Sequence, residues 1–111
     1  MMPDDPTEPF EANCPPFLAA DDVLIREIKI INRKGLHARA TAKFVQCVET
    51  FNAQITVTRC GETVGGTSIM GILTLGAGMG STITVTAKGD DAQSALDALE
   101  ALVTRRFGED E

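Results

Sequence analysis

The 111-residue chain contains no tryptophan, no tyrosine and a single histidine. A sheet without exposed aromatics has nothing to stack against nucleic-acid bases, and none of the five phenylalanines falls in a stretch that reads as a strand. One imidazole cannot build a histidine-based metal site. The three cysteines (Cys14, Cys47 and Cys60) are odd in number and include no C-x-x-C pair. That speaks against a disulfide framework or a zinc site and for a reducing compartment. No apolar run approaches the roughly 18 residues of a membrane-spanning helix. The opening Met1-Met2-Pro3-Asp4-Asp5 lacks the basic and apolar regions of a secretory signal. A cytoplasmic protein is expected, with neither membrane nor nucleic acid as partner and no cofactor or metal.

Basic residues are absent from residues 1–22, which carry Asp4, Asp5, Glu8, Glu11, Asp21 and Asp22 together with all five prolines of the chain. Such a segment buries too little apolar surface to offset its ordering entropy, so residues 1–22 are expected to be a disordered acidic tail. Residues 23–111 then form one domain with one modest core. The net charge of −6 resides in the tail, because acids and bases balance from Val23 onward.

Within the domain, Val23–Ile31 alternates as a strand. From Ala38 to about Phe51, the apolar Phe44, Val45, Val48 and Phe51 recur at helical spacing. Ala53–Cys60 and Thr63–Gly65 read as a hairpin turning at Cys60-Gly61. Thr67–Leu73 reads as a short helix opened by a hydroxyl, and Ser81–Ala87 as a strand with threonines on a hydrated face. The last helix carries the stripe Ala92, Ala95, Leu96, Leu99, Leu102 and Val103, with Asp90 and Gln93 spaced as a capping box. Four strands and covering helices predict a two-layer α+β domain. The glycines of Gly76–Gly80 are spaced like a dinucleotide-binding loop but precede a strand instead of following one, which excludes that reading.

Acidic residues are missing from Ile28–Val48, which holds Lys29, Arg33, Lys34, Arg39 and Lys43. The one histidine, His37, stands in this basic stretch within Gly35-Leu36-His37-Ala38-Arg39, where the strand pattern yields to the helix pattern. Gly35 permits an unusual backbone angle just before it. An imidazole exchanges protons or phosphoryl groups near neutral pH. A helix N-terminus favours added negative charge, and an arginine two residues on can fork onto phosphate oxygens. The spacing points to a small anionic group or an acidic partner.

These residues resemble the histidine-containing phosphocarrier (HPr) family of the bacterial phosphoenolpyruvate-dependent phosphotransferase system. The likeness spans about Leu24–Phe107. It is carried by Gly35–Arg39 and by Ser68-Ile69-Met70-Gly71 with Leu75-Gly76, in that order. The resemblance implies an open-faced β-sandwich, a four-stranded antiparallel sheet with three helices on one face. It implies a monomeric carrier, not an enzyme. His37 would accept a phosphoryl group at Nδ1 from Enzyme I and pass it to an EIIA-type acceptor, while Arg39 pairs with the phosphoryl group. Ser68 would match a regulatory serine modified by an HPr kinase/phosphorylase in bacteria that have one; a plain helix cap explains it equally well. Ile69 and Met70 are either core or part of a docking patch. The chain departs from the family at Ala40, where a proline usually stands. Arg106–Glu111 looks somewhat like the nitrogen-related carriers, and both the sugar and the nitrogen branch stay open. A hydrolase is disfavoured because no carboxylate or serine pairs with His37 in the sequence. A binding module that has lost transfer is disfavoured because both His37 and Arg39 are present.

Overall fold

The computed structural model describes residues 23–109, so the expected tail at residues 1–22 lies outside the described residues. Strand β1 (Leu24–Lys29) leads to helix α1 (Ala38–Glu49) and then to the hairpin of β2 (Gln54–Arg59) and β3 (Glu62–Gly65). Helix α2 (Ile69–Thr74), strand β4 (Thr82–Lys88) and helix α3 (Ala92–Thr104) follow, and a short 3₁₀ turn, Arg106–Gly108, comes last. The element order is the one read from hydrophobic periodicity, with ends displaced by a residue or two.

The strands form one antiparallel sheet in the order β1-β4-β2-β3, with Ile28 opposite Ile83, and Val57 opposite both Val85 and Val64. Side chains alternate along each strand, so Ile28, Ile55, Val57, Ile83, Val85 and Ala87 share one face and are buried. Helix α1 covers them with Ala40, Phe44, Val45 and Val48, and α3 with Ala92, Ala95, Leu96, Leu99 and Val103. Leu102 is only half-buried. The expected α+β open-faced sandwich is the observed fold.

Three local expectations need correction. Asp90 does not cap α3: the N-cap is Asp91, and its side chain makes no capping bond. The Asp91 carboxylate instead accepts the Asn52 N–H at 2.7 Å, tying the α1–β2 connection to the start of α3, while Gln93 donates to Asp97. The threonine face is less hydrated than expected. Thr58 and Thr86 are buried because Thr58 pairs with Thr63 and Thr86 with Thr56, hydroxyl to hydroxyl across the strands. The expectation against disulfides fails at Cys60, which sits at the left-handed corner of the hairpin and is disulfide-bonded, whereas Cys47 is free and burial pushes its thiol pKa up. Arg26 of β1 donates from Nη1 to both Asp97 and Glu100 of α3, an exposed contact between the sheet edge and the helix.

Candidate functional site

The connection from β1 to α1 is built around one glycine. Gly35 has φ +66°, and a Cβ there would lie 2.5 Å from the Ala77 carbonyl oxygen and 2.6 Å from Gly78 Cα. Both the backbone angle and the close approach demand glycine. The Leu36 N–H donates to the Ala77 carbonyl at 2.9 Å, which seats the turn against the loop at Gly76–Gly80. That glycine-rich loop thus serves as the wall behind the histidine turn, a role its sequence did not suggest.

His37 is the N-cap of α1, in extended backbone with φ −78° and ψ −177°. Its Nδ1 accepts the Arg39 N–H in a long bond of 3.3 Å, and its carbonyl accepts the Thr41 N–H at 2.8 Å. Thr41, buried, donates its hydroxyl to the Leu36 carbonyl and fixes the turn from inside. The imidazole is about a quarter exposed, at 26%. Arg39 stands exposed on the first turn of α1, with no ion pair among the described residues. Ala40 is fully buried in the same turn and retains a backbone N–H that a proline would lack.

The other ring nitrogen meets a residue the sequence reading missed. Glu109 Oε2 lies 2.5 Å from His37 Nε2, and Glu109 Oε1 accepts from Asn32 Nδ2 at 3.1 Å. Asn32 is fully buried and also donates to the Gly35 carbonyl at 2.8 Å, so one amide holds both the histidine turn and the glutamate. Enclosure opposes the charge on Glu109. The hydrogen bonds from His37 and Asn32 and the attraction of the imidazole and Lys34 outweigh it, and they hold the carboxyl below its ordinary value. The sequence offers no carboxylate near His37, but the fold brings one to it from 72 residues away.

Glu109 reaches the imidazole through an unusual chain reversal. Arg106, Phe107 and Gly108 are all left-handed, with φ of 56°, 56° and 79°, a conformation costly for the two non-glycine residues. Burial of Phe107, which is 1% exposed, offsets that cost, as does Lys43 of α1, which donates to the Phe107 carbonyl at 2.6 Å. The sequence carried one signal of this: a lone phenylalanine beside a glycine, among charges, just past the last helical stripe.

The second predicted segment lies on α2. Ser68 is its exposed N-cap, with Oγ accepting the Gly71 N–H at 3.2 Å. Ile69 and Met70 are exposed at 42% and 71%, while Ile72 faces the core, so the core reading of Ile69 and Met70 gives way to the surface one. Among the described residues no cluster of His, Cys, Asp or Glu could hold a metal, and no helix is long and apolar enough to cross a membrane.

Residues 24–105 match the family model described as the PTS HPr component phosphorylation site. The chain is 49% identical over 89 residues to the phosphocarrier protein HPr of Cupriavidus necator, covering 80% of this chain and all of that protein. It is 44% identical over 86 residues to the phosphocarrier protein NPr of Shewanella violacea, covering 78% of this chain and 94% of that one. The fold superposes on the crystal structure of HPr-C-His from Thermoanaerobacter tengcongensis with a TM-score of 0.76 and 41% identity, over 79% of this chain and 99% of that one. An antiparallel sheet under three helices, a histidine capping the first of them and this breadth of similarity lead to one assignment: the chain belongs to the HPr family of phosphocarrier proteins of the phosphotransferase system.

Proposed function

We propose that His37 accepts a phosphoryl group at Nδ1 from Enzyme I and passes it to an EIIA-type acceptor, in sugar uptake or nitrogen-related regulation. The observation that carries this reading is the position of Nδ1 at the open end of α1, against the Arg39 N–H. A lone pair on Nδ1 attacks phosphorus, the bond to the donor's leaving atom breaks, and that electron pair returns to the donor. The incoming phosphoryl oxygens then take over the Arg39 N–H, which the long 3.3 Å bond gives up at little cost. The dipole of a 12-residue helix and the Arg39 guanidinium stabilise the added charge. No cofactor enters the transfer, and one chain supplies the whole site.

Exposed Ile69 and Met70 offer an adaptable apolar surface for the partners, and Met is suited to more than one of them. Ser68 caps α2 through an oxygen that a kinase could modify without disturbing the core, since the residue is exposed. Incubation with Enzyme I and labelled phosphoenolpyruvate tests the carrier reading. Acid-labile label on the wild type and none on His37→Ala is expected. Equal labelling of that variant would overturn the assignment.

A further inference from the structure

The two nitrogens of His37 are both spoken for, and each partner dictates the same proton position. The Arg39 N–H can only donate, so Nδ1 must offer a lone pair. An ionised Glu109 carboxylate can only accept, so Nε2 must carry the hydrogen. We propose that Glu109 is a positioning residue for phosphotransfer. It holds the Nε2 hydrogen of His37, presents Nδ1 unprotonated at the start of α1, and balances the positive charge the ring acquires when Nδ1 takes a phosphoryl group. This inference rests on the carrier reading of His37 and assigns a role to a residue 72 positions away.

Two independent features support a built contact. One is the buried Asn32 amide, which ties Glu109 Oε1 and the Gly35 carbonyl together and so fixes the carboxylate relative to the turn that carries His37. The other is the left-handed run Arg106–Gly108, a strained conformation held by burial of Phe107 and by Lys43. That run delivers Glu109 to the ring edge opposite the nucleophilic nitrogen, so the carboxylate does not stand between Nδ1 and a donor. During transfer the Nδ1–P bond forms, the donor's bond to phosphorus breaks with its electron pair going to the donor, and the Nε2 hydrogen stays in place. The ring becomes an imidazolium bearing the phosphoryl group, and Glu109 supplies its counter-charge. On onward transfer the pair of electrons in the Nδ1–P bond returns to Nδ1, and the same tautomer is regenerated.

Because His37 is the only histidine, ¹⁵N spectra of the full chain report its ring nitrogens without overlap. At mildly alkaline pH the wild type should show one tautomer, with Nε2 protonated, and Glu109→Ala should show a mixture. Transfer from Enzyme I should slow roughly tenfold in Glu109→Ala, the scale of one lost charge-assisted hydrogen bond. Glu109→Asp and Glu109→Gln should recover part of the tautomer bias, and only Asp should recover part of the rate. An unchanged tautomer ratio in Glu109→Ala, or transfer as fast as or faster than wild type, overturns the proposal. If the wild type takes no phosphate at all, the carrier reading fails, and the role proposed for Glu109 in transfer falls with it. The tautomer comparison still decides whether Glu109 governs the ring.

Discussion

Lys43 of α1 donates to the Phe107 carbonyl at 2.6 Å, joining the helix that begins at His37 to the turn that delivers Glu109. The same helix thus carries the His37 imidazole at its N-cap and, two turns on, the anchor for that imidazole's partner. Phe107 is the packing half of this anchor and Lys43 the polar half. Both are needed because three consecutive left-handed residues do not hold themselves.

Truncating Phe107 should therefore act twice. Phe107→Ala removes a fully buried ring, at a cost of about 3–4 kcal/mol by denaturant unfolding. It also frees the terminal segment, so the His37 ring should lose its tautomer bias just as in Glu109→Ala. A destabilised protein that keeps the bias would show that Lys43 and Asn32 hold Glu109 without Phe107.

Gly35→Ala places a methyl 2.5 Å from the Ala77 oxygen in a left-handed residue. Neither neighbour can yield, since both contacts are backbone. We expect a loss of about 2–3 kcal/mol in stability and slower transfer, as the histidine turn lifts from the loop. A thermal melt and a transfer assay on the same sample check both.

Arg39→Lys keeps the charge and loses the planar fork that grips two phosphate oxygens. Transfer should slow roughly tenfold with the melting temperature unchanged, because Arg39 is exposed and takes no part in the core. Equal rates for wild type, Arg39→Lys and Arg39→Ala would remove this side chain from the site.

Ser68→Asp adds charge at the start of α2, beside exposed Ile69 and Met70. The fold should be nearly indifferent, since an anion at a helix N-terminus is tolerated. Binding to Enzyme I, followed by titration calorimetry, should weaken because the added charge must be desolvated or repelled at the docking patch. Equal affinity leaves Ser68 as a cap alone.

The pH dependence follows from Glu109. Its folded-state pKa lies below the unfolded value, so its contribution is present above the ordinary carboxylate range and is lost as pH falls through the lowered value. The groups that set this are His37 and Asn32 through hydrogen bonds and Lys34 through charge, with Lys43 anchoring the adjacent carbonyl. Melting curves of wild type and Glu109→Gln should differ at neutral pH and converge in acid. A difference that persists unchanged into strong acid would mean that the carboxylate charge is not what matters.

Local signals wrote much of this molecule into its sequence. Period-two and period-3.6 patterns gave four strands and three helices in order, and Gly35 before His37 at the strand-to-helix change placed the imidazole at or beside the start of α1, where the structure makes it the N-cap. Charge separation along the chain marked the basic stretch around it. These features depend on neighbours a few residues apart, which is the range over which turn chemistry and side-chain periodicity act. What the tertiary structure alone decided is the company His37 keeps. Ala77 and Glu109 meet the histidine turn from two distant segments, joined there by Asn32 of the turn itself, and Glu109 arrives only because α3 packs across the sheet, ends beside α1 and reverses through Phe107. The Asp91 carboxylate was diverted from capping in the same way, by an Asn52 N–H brought up from a distant connection. Polar groups choose among partners by distance and burial. Those are fixed only when the hydrophobic layers close, so Glu109, a glutamate with no local pattern around it, became the partner of the imidazole.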